Sequence, residues 1–397
     1  MRELFKKLIS KEVQDFINKN LKTDLSKIIL KGSPFADVDI KTIATQIESK
    51  NKAVKKLSTW YKTNGIIYPP KLNLEQASSE VTANYKASLI SNGSLIDLTG
   101  GFGSDTYYFA QNANSVTHCE TNEELSEIVK HNFEVLGIKN VTTVVGDSTA
   151  VLKDSEEFFE TIYIDPSRRA NAGRVFMLKD CEPDVLANQA LYLKKAKRVI
   201  IKAAPMLDIQ SALKDLKNVS EVHVVSLKNE CKELLFVLEQ DAVAEPTINC
   251  VVLNAQDSKV ISFTLAEERN AESKAGKLLN YLYEPDASLL KAGMFKLLTE
   301  RYPVTKVHQH SHIYTSNELI DFPGKRFKIV KTILFNDFTK AQVPKQINLV
   351  CRNFNLKPDE LKKQFKLKDG GNDFLFFSTN YKDQKIVIHA TKLQTNA

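Results

Sequence analysis

The sequence predicts an α/β chain: a mostly parallel sheet with an antiparallel last strand, a helical N-terminal region, and small α+β domains at the C-terminus. Three observations carry this. Apolar runs that end in an acid recur four times between residues 94 and 165. Helix-like segments separate them, as parallel crossovers require. The last two apolar runs, Glu221–Leu227 and Lys232–Glu239, lie only a few residues apart. That gap is too short for a crossover, so they are expected to be antiparallel neighbours.

The first run is the most informative. Ser94-Leu-Ile-Asp97 leads into Leu98-Thr-Gly-Gly-Phe-Gly103, then Ser104-Asp105 and the helix-like Thr106-Tyr-Tyr-Phe-Ala110. A buried strand, a tight turn and a helix start fit that order. Glycines allow close backbone approach to a ligand, and the helix N-terminus offers unpaired N–H groups. Gly101 and Gly103 match the first two places of a dinucleotide fingerprint, but Thr106 occupies the third.

The next strand, Ser115–Glu120, ends in a carboxylate 23 residues after Asp97. A ribose-binding acid is expected there in any βαβ nucleotide site, so NAD and S-adenosylmethionine both remain open at this point. Asn140–Asp147 gives a third strand ending in Asp147, and Thr161–Asp165 a fourth that runs into Pro166-Ser-Arg-Arg169. Lys197–Pro205 reads as a fifth strand and Asp208–Leu216 as a short amphipathic helix.

Four acids at strand ends, with Asp165-Pro166 after the fourth, resemble the class I S-adenosylmethionine-dependent methyltransferases, whose fold is Rossmann-like. The antiparallel ending fits that family; an NAD-binding sheet would end on a parallel sixth strand. The resemblance implies S-adenosylmethionine as cofactor. Asp97, Thr99, Gly100, Gly101, Phe102, Gly103 and Asp105 would surround its methionine part. Glu120 would hold the ribose, Asp147 with Ser148 the adenine, and Asp165 would lie beside the methyl acceptor. Many nucleic-acid amine methyltransferases carry Asp/Asn-Pro-Pro-Tyr here. This chain keeps Asp165 and Pro166 but has Ser167 and Arg168 in place of the second proline and the aromatic. Asp165 is expected to orient the acceptor within the catalytic tetrad Asp165–Arg168. Arg168 and Arg169 are expected to stack on a base or bind phosphate, with salt bridges to loop acids as the alternative. A cytosine-C5 mechanism needs a cysteine, and Cys181 lies nearest but without a supporting motif.

Charge is unevenly spread. Residues 325–397 hold 15 Lys/Arg against 6 Asp/Glu, a net of +9, while the whole chain is +7. A basic module attached to such a domain implies a polyanion partner, with RNA (tRNA or rRNA) leading. Within it, Phe327–Phe335 and Asp373–Ser378 read as strands and Lys357–Leu367 as a short basic helix. Cys351-Arg-Asn-Phe-Asn-Leu-Lys-Pro-Asp-Glu-Leu361, with Lys368-Asp-Gly-Gly371, resembles the THUMP-like domain that follows some bacterial class I methyltransferases. Tyr283-Glu-Pro-Asp-Ala-Ser-Leu-Leu-Lys-Ala-Gly293 resembles the start of the small ferredoxin-like domain of the same architecture. The expected domains are residues 1–90, 91–275, 276–322 and 323–397. The function implied is methylation of an RNA base. A protein or small-molecule methyltransferase, or a silent RNA-binding relative, is the alternative.

The first 90 residues look helical. Ser10 is expected to cap Lys11–Asn20, Gly32-Ser-Pro34 to break the pattern, and Ile40–Trp60 to resume it with Ile43, Ile47, Val54 and Leu57 inward. Tyr68-Pro-Pro70 marks an extended connector. The following segment offers Glu75, Gln76 and Ser79 as residues lining the cofactor pocket.

No apolar run approaches the roughly 18 residues of a membrane span. Met1–Ile9 is charged without an apolar stretch, which argues against a signal peptide. Five scattered cysteines with no C-x-x-C imply reduced thiols in a cytoplasmic protein. His308-Gln-His-Ser-His312 alternates as a strand face would, and no metal is expected there.

Overall fold

The computed structural model describes residues 2–169, 177–242, 244–254, 258–339, 343–344 and 346–393. The chain forms two compact units, residues 1–222 with 234–244, and residues 223–233 with 245–397. Among the described residues no helix is long and apolar enough to cross a membrane.

The first unit holds the sheet that the repeated apolar runs anticipate. Its strands are β1 (Ser94–Asp97), β2 (Ser115–Glu120), β3 (Val141–Val145), β4 (Phe159–Ile164), β5 (Ala196–Ala203), β6 (Val219–Leu227) and β7 (Glu230–Glu239). The division between the units falls within β6 and β7. These seven strands, part of a nine-stranded sheet, are ordered β3-β2-β1-β4-β5-β7-β6. Strands β1 to β5 pair in parallel, whereas β7 lies antiparallel to β5 with Arg198 opposite Glu239 and Ala203 opposite Leu234. The antiparallel ending is therefore as expected. Leu95, Ile96, Ile162, Ile164, Val199 and Ile201 are buried, which is why these strands read as continuous apolar runs rather than as alternating ones.

The helices that follow β2, β3, β4 and β5 each begin on a polar cap, whereas the helix Ser104–Asn112 after β1 starts at Gly103 without a side-chain capping bond. Asn122 accepts from the Leu125 amide, Asp147 from Thr149, Asp184 from Ala187 and Asp208 from Ser211. Such caps supply acceptors for N–H groups that a helix start leaves unpaired.

The N-terminal region is helical and packs into one core with the glycine turn. Ile43, Ile47, Leu57, Trp60, Tyr68, Phe102, Val129 and Phe133 belong to it. The connector through Tyr68 is held by side-chain amides: Gln46 bonds both the amide and carbonyl of Tyr68, and Asn132 does the same for Ile67. Two expectations change here. Val54 is 40 % exposed, because the helix Ile40–Lys56 turns that position toward solvent before ending. Ser10 occupies the N-cap of the helix Lys11–Lys19, but its side chain makes no capping bond.

In the second unit, β8 (Thr247–Leu253) pairs antiparallel with β9 (Ser258–Phe263). A second sheet is built from β10 (Tyr281–Pro285), β11 (Tyr314–Ser316), β12 (Gly324–Leu334), β13 (Asn348–Arg352), β14 (Asp373–Thr379) and β15 (Lys385–Lys392). With Thr305–Lys306 at one edge, its order continues β11-β10-β12-β15-β14-β13. Strand β12 pairs with β10 through residues 324–328 and with β15 through residues 327–334. Leu282, Val307 and Ile313 share a core with Phe327, Phe376 and Ile388. The segments before and after residue 323 thus contribute to one sheet and one core. A buried carboxylate, Glu284, joins them: its oxygens meet Arg352 at 2.5 Å and Lys325 at 3.0 Å.

Candidate active site

The C-terminal ends of β1, β2, β4 and β5 and the glycine turn form the candidate site, all within the first unit. Asp97, at the end of β1, is 1 % exposed. It accepts from the Thr99 amide at 3.0 Å and from the Thr106 hydroxyl at 2.8 Å. Burial pushes its carboxyl up to about 7, with the nearby Asp105 and Asp165 adding to the effect.

The glycine turn is built over buried side chains. Gly100 lies directly on His118, so that a Cβ added to it would fall 2.2 Å from His118 Nε2. Gly103, at φ +77, lies against Phe133, which a Cβ would approach to 2.7 Å. Gly101, at φ +54, has just the Thr99 carbonyl within 4 Å of the position a Cβ would take. The turn is therefore supported from below and bare at Gly101, a cradle that fits close approach of a ligand to backbone. His118 is itself fully buried, and burial lowers its pKa, which keeps the ring neutral. Gly100→Ala should cost about 1–3 kcal/mol of stability through overpacking, read as a lower urea midpoint. The double variant Gly100→Ala/His118→Ala should recover most of it.

Glu120 pins the same turn. Its Oε2 accepts from the Gly101 amide at 3.1 Å and its Oε1 from the Asn122 amide at 2.8 Å. The Thr121 hydroxyl also donates to Oε1 at 3.2 Å, and a carboxylate has about four acceptor directions, so capacity for a further hydroxyl remains. Asp147 is exposed and uses Oδ1 to cap its helix through Thr149 at 2.8 Å; Ser148 is buried at the start of that helix. Phe102 is buried against Trp60, with ring centroids 4.8 Å apart. Its side chain belongs to the N-terminal core, so it can serve a ligand through its backbone alone.

Asp105 stands at the centre of a buried polar network. Ser78 and Tyr163 donate to its Oδ2 at 2.8 and 2.9 Å. The Lys86 ammonium, with no exposed side-chain surface, lies 3.2 Å from its Oδ1. Burial alone would raise the Asp105 carboxyl, but Lys86 and Lys202, with the Ser78 and Tyr163 hydroxyls, outweigh it and hold it below the ordinary value. Ser78 also accepts from Lys86 at 2.9 Å. Lys202 reaches Asp165, with 2.5 Å between Nζ and Oδ2. The Asp165 amide donates to Thr99 Oγ1 at 2.6 Å, tying the turns after β1 and β4 together.

The sequence places Asp97, Glu120 and Asp165 at strand ends, Thr99 and the glycines in a turn and Asp105 at a helix start, and the structure brings these together. Sequence reasoning missed Ser78, Lys86, Tyr163, Lys202 and His118. Their one local signal is a polar residue inside an otherwise apolar strand, as with Tyr163 and Lys202. Glu75 and Gln76 do not join the cluster. Both are exposed, and Glu75 pairs with Lys52 at 3.3 Å. The helix Lys71–Gln76 ends before the chain turns inward at Ser78, and Ser79 caps the next helix through the Thr82 amide.

Beyond Asp165, Pro166 is buried while Ser167, Arg168 and Arg169 are exposed. Ser167 and Arg168 pair with Glu182 and Cys181 in a short antiparallel ribbon. Arg169 lies 3.6 Å from Asp184, the salt-bridge alternative considered for it. No ion pair of Arg168 is found among the described residues. Burial raises the Cys181 thiol above its ordinary pKa, the opposite of what a thiolate nucleophile needs. His308–His312 forms a turn, not the expected strand face. His308 Nε2 meets Asp383 at 2.9 Å, its Nδ1 accepts from the His310 amide and Asn353, and His312 stacks on Phe295 with centroids 3.7 Å apart. Among the described residues no group of His, Cys, Asp and Glu could hold a metal.

Comparison with known proteins agrees with this architecture. Residues 281–323 match a ferredoxin-like domain family and residues 324–392 a THUMP domain-like family. A crystal structure from Porphyromonas gingivalis W83, provisionally named a methyltransferase, superposes with a TM-score of 0.85. It is 31 % identical and covers 96 % of this chain and 97 % of its own. A curated protein of Mycoplasma mobile, described as an uncharacterized RNA methyltransferase, is 32 % identical over 163 residues. The match takes in 38 % of this chain and 44 % of that relative.

Proposed function

The chain belongs to the bacterial class I methyltransferases that carry C-terminal ferredoxin-like and THUMP-like domains, and from that membership we propose that it transfers the methyl group of S-adenosylmethionine to a base of RNA. One observation carries the reading. The bare glycine turn and the acids Asp97, Glu120, Asp147 and Asp165 gather at the carboxyl ends of a sheet ordered β3-β2-β1-β4-β5-β7-β6, where ligands of open α/β sheets bind.

When bound, S-adenosylmethionine supplies an electrophilic methyl group on a sulfonium. Asp97 and the amides around Gly101 would hold its amino-acid part, Glu120 its ribose, and Asp147 with Ser148 its adenine. Asp97 is the buried carboxylate best placed to complement a cation. Asp165 would orient the acceptor, and Arg168, exposed on the ribbon after β4, would meet the RNA. Catalysis by such a site rests on positioning and on exclusion of water.

RNA as the acceptor is supported by the basic C-terminal segment and by the relative named as an RNA methyltransferase. Lys363, Lys366 and Lys368 are exposed on and after the helix Pro358–Phe365. Reversing all three to glutamate should weaken RNA binding and flatten its salt dependence by about three counterions. Calorimetric binding of S-adenosylhomocysteine should stay as in the parent.

The deciding experiment is transfer of labelled methyl from S-adenosylmethionine into RNA, DNA, protein and small-molecule fractions from cells lacking this protein, with Asp165→Ala as control. Label in an RNA fraction that disappears with the variant is the expected result. Label confined to protein or small molecules would replace RNA as the substrate. Cofactor binding without transfer to any fraction would mark a silent relative.

A further inference from the structure

Asp165 and Lys202 emerge side by side. Ile164 and Ile201 are the last register partners of the parallel pair β4 and β5, so the next residue on each strand leaves at the same height on the sheet edge. The Lys202 ammonium is 2.5 Å from Asp165 Oδ2, with the lysine side chain 13 % exposed and the aspartate 35 %. Both are braced from behind, Asp165 through its amide to Thr99 and Lys202 by Ser78 Oγ at 3.5 Å. The edge offered to an acceptor is thus a carboxylate with a fixed positive charge beside it.

That charge pattern discriminates among acceptors. An exocyclic amine presents two hydrogens and is best met by two acceptors, which a neighbouring ammonium opposes. A ring carbon would need a thiolate, and the thiol on the adjoining ribbon, Cys181, is pushed the wrong way by burial. A lactam edge, with a ring N–H next to a carbonyl, as on guanine N1/O6 or uracil N3/O4, presents a hydrogen to the carboxylate and an oxygen to the positive charge.

Resting on the RNA methyltransferase reading, we propose that the acceptor is the ring nitrogen of such a lactam edge and that Lys202 works with Asp165 as one recognition pair. Asp165 takes the proton as the N–H bond breaks, leaving the electron pair on the lactam. Lys202 stabilises the negative charge that reaches the oxygen. The nitrogen pair forms the new N–C bond, and the pair of the broken C–S bond stays on sulfur, so charge and atoms balance.

The test uses the full-length enzyme, S-adenosylmethionine, and RNA extracted from cells lacking the protein, with nucleosides of the product separated and identified by mass spectrometry. Methyl on guanosine N1 or uridine N3 is expected. Methyl on an exocyclic amine, a ring carbon or the ribose overturns the proposal and leaves the RNA reading standing. Label confined to protein or small molecules, or none at all, overturns both. Product identity decides this without any variant.

Lys202→Met then tests the role of the lysine. Its kcat should fall roughly 100-fold near neutral pH and recover as pH rises into the range where a lactam N–H ionises unaided. Lys202→Arg should keep most activity. Calorimetric affinity for S-adenosylhomocysteine should be unchanged in both, which separates loss of chemistry from loss of the fold. A loss in Lys202→Met that is the same at every pH would overturn the assignment.

Discussion

Asp97→Asn should make the protein more stable at pH 8 and much poorer at binding S-adenosylmethionine. The Asp97 carboxyl is buried, and its folded-state value of about 7 lies above the ordinary 3.8. A carboxyl with a raised folded-state value adds most to stability below its unfolded pKa. That contribution is lost as pH climbs from about 4 to about 7. Above that window the cost of holding the ionised group approaches about 4 kcal/mol. Asparagine avoids the cost, since its oxygen still accepts from the Thr99 amide and the Thr106 hydroxyl can turn to accept from its NH2 group. The variant should gain a few kcal/mol over the parent at pH 8 and nothing at pH 4, as read from urea unfolding. In the parent, affinity for the cationic cofactor should strengthen from pH 6 to pH 8 and binding should release a proton, which calorimetry in two buffers would detect. A variant less stable than the parent at pH 8 would show that the ionised carboxylate is an anchor of the fold instead.

Lys86→Met should be the most damaging single change in the N-terminal half. Lys86 is fully buried, and its ammonium faces Asp105 Oδ1 and Ser78 Oγ. Removing one member of a buried ion pair leaves the other charge without compensation, at a cost of about 3–5 kcal/mol. The loss should be greatest near neutral pH and shrink in acid, where Asp105 can take up a proton. The double variant Lys86→Met/Asp105→Asn should recover most of it, because a neutral amide does not need the ammonium. If the double variant is as unstable as the single, the lysine acts through its packed stem rather than its charge.

Much of the fold was legible because its signals are local. An apolar run, an acid and a turn follow one another within about ten residues at Asp97, Glu120, Asp147 and Asp165, and the short gap between β6 and β7 gave the antiparallel ending. The polar network was not legible, because its members meet across 27 residues for Ser78 and Asp105 and 124 for Ser78 and Lys202. A lysine within a helix such as Glu80–Ala87 reads by default as solvated, and nothing near Lys86 in sequence says otherwise. Glu75 and Gln76 were drawn to the site by position alone; the inward residue is Ser78, two places further on. The alternation of His308, His310 and His312 suggested a strand, yet the backbone turns there, and side chains as distant as Asn353 and Asp383 meet His308.

Strand β12 lies wholly in the second of the two matched C-terminal segments, residues 324–392, yet it also completes the sheet of the first, residues 281–323. Its first residues zip to β10 and the remainder to β15. A cut at residue 323 would strip β10 of a hydrogen-bonded neighbour and uncover Leu282, Val307 and Ile313. An exposed strand edge beside an apolar face invites aggregation. Residues 281–392 should therefore melt as one cooperative block, and limited proteolysis should release neither segment intact from the other. The strand at the root of the basic portion is the same one that completes the smaller domain, so neither could have been borrowed, swapped or lost without rebuilding its neighbour.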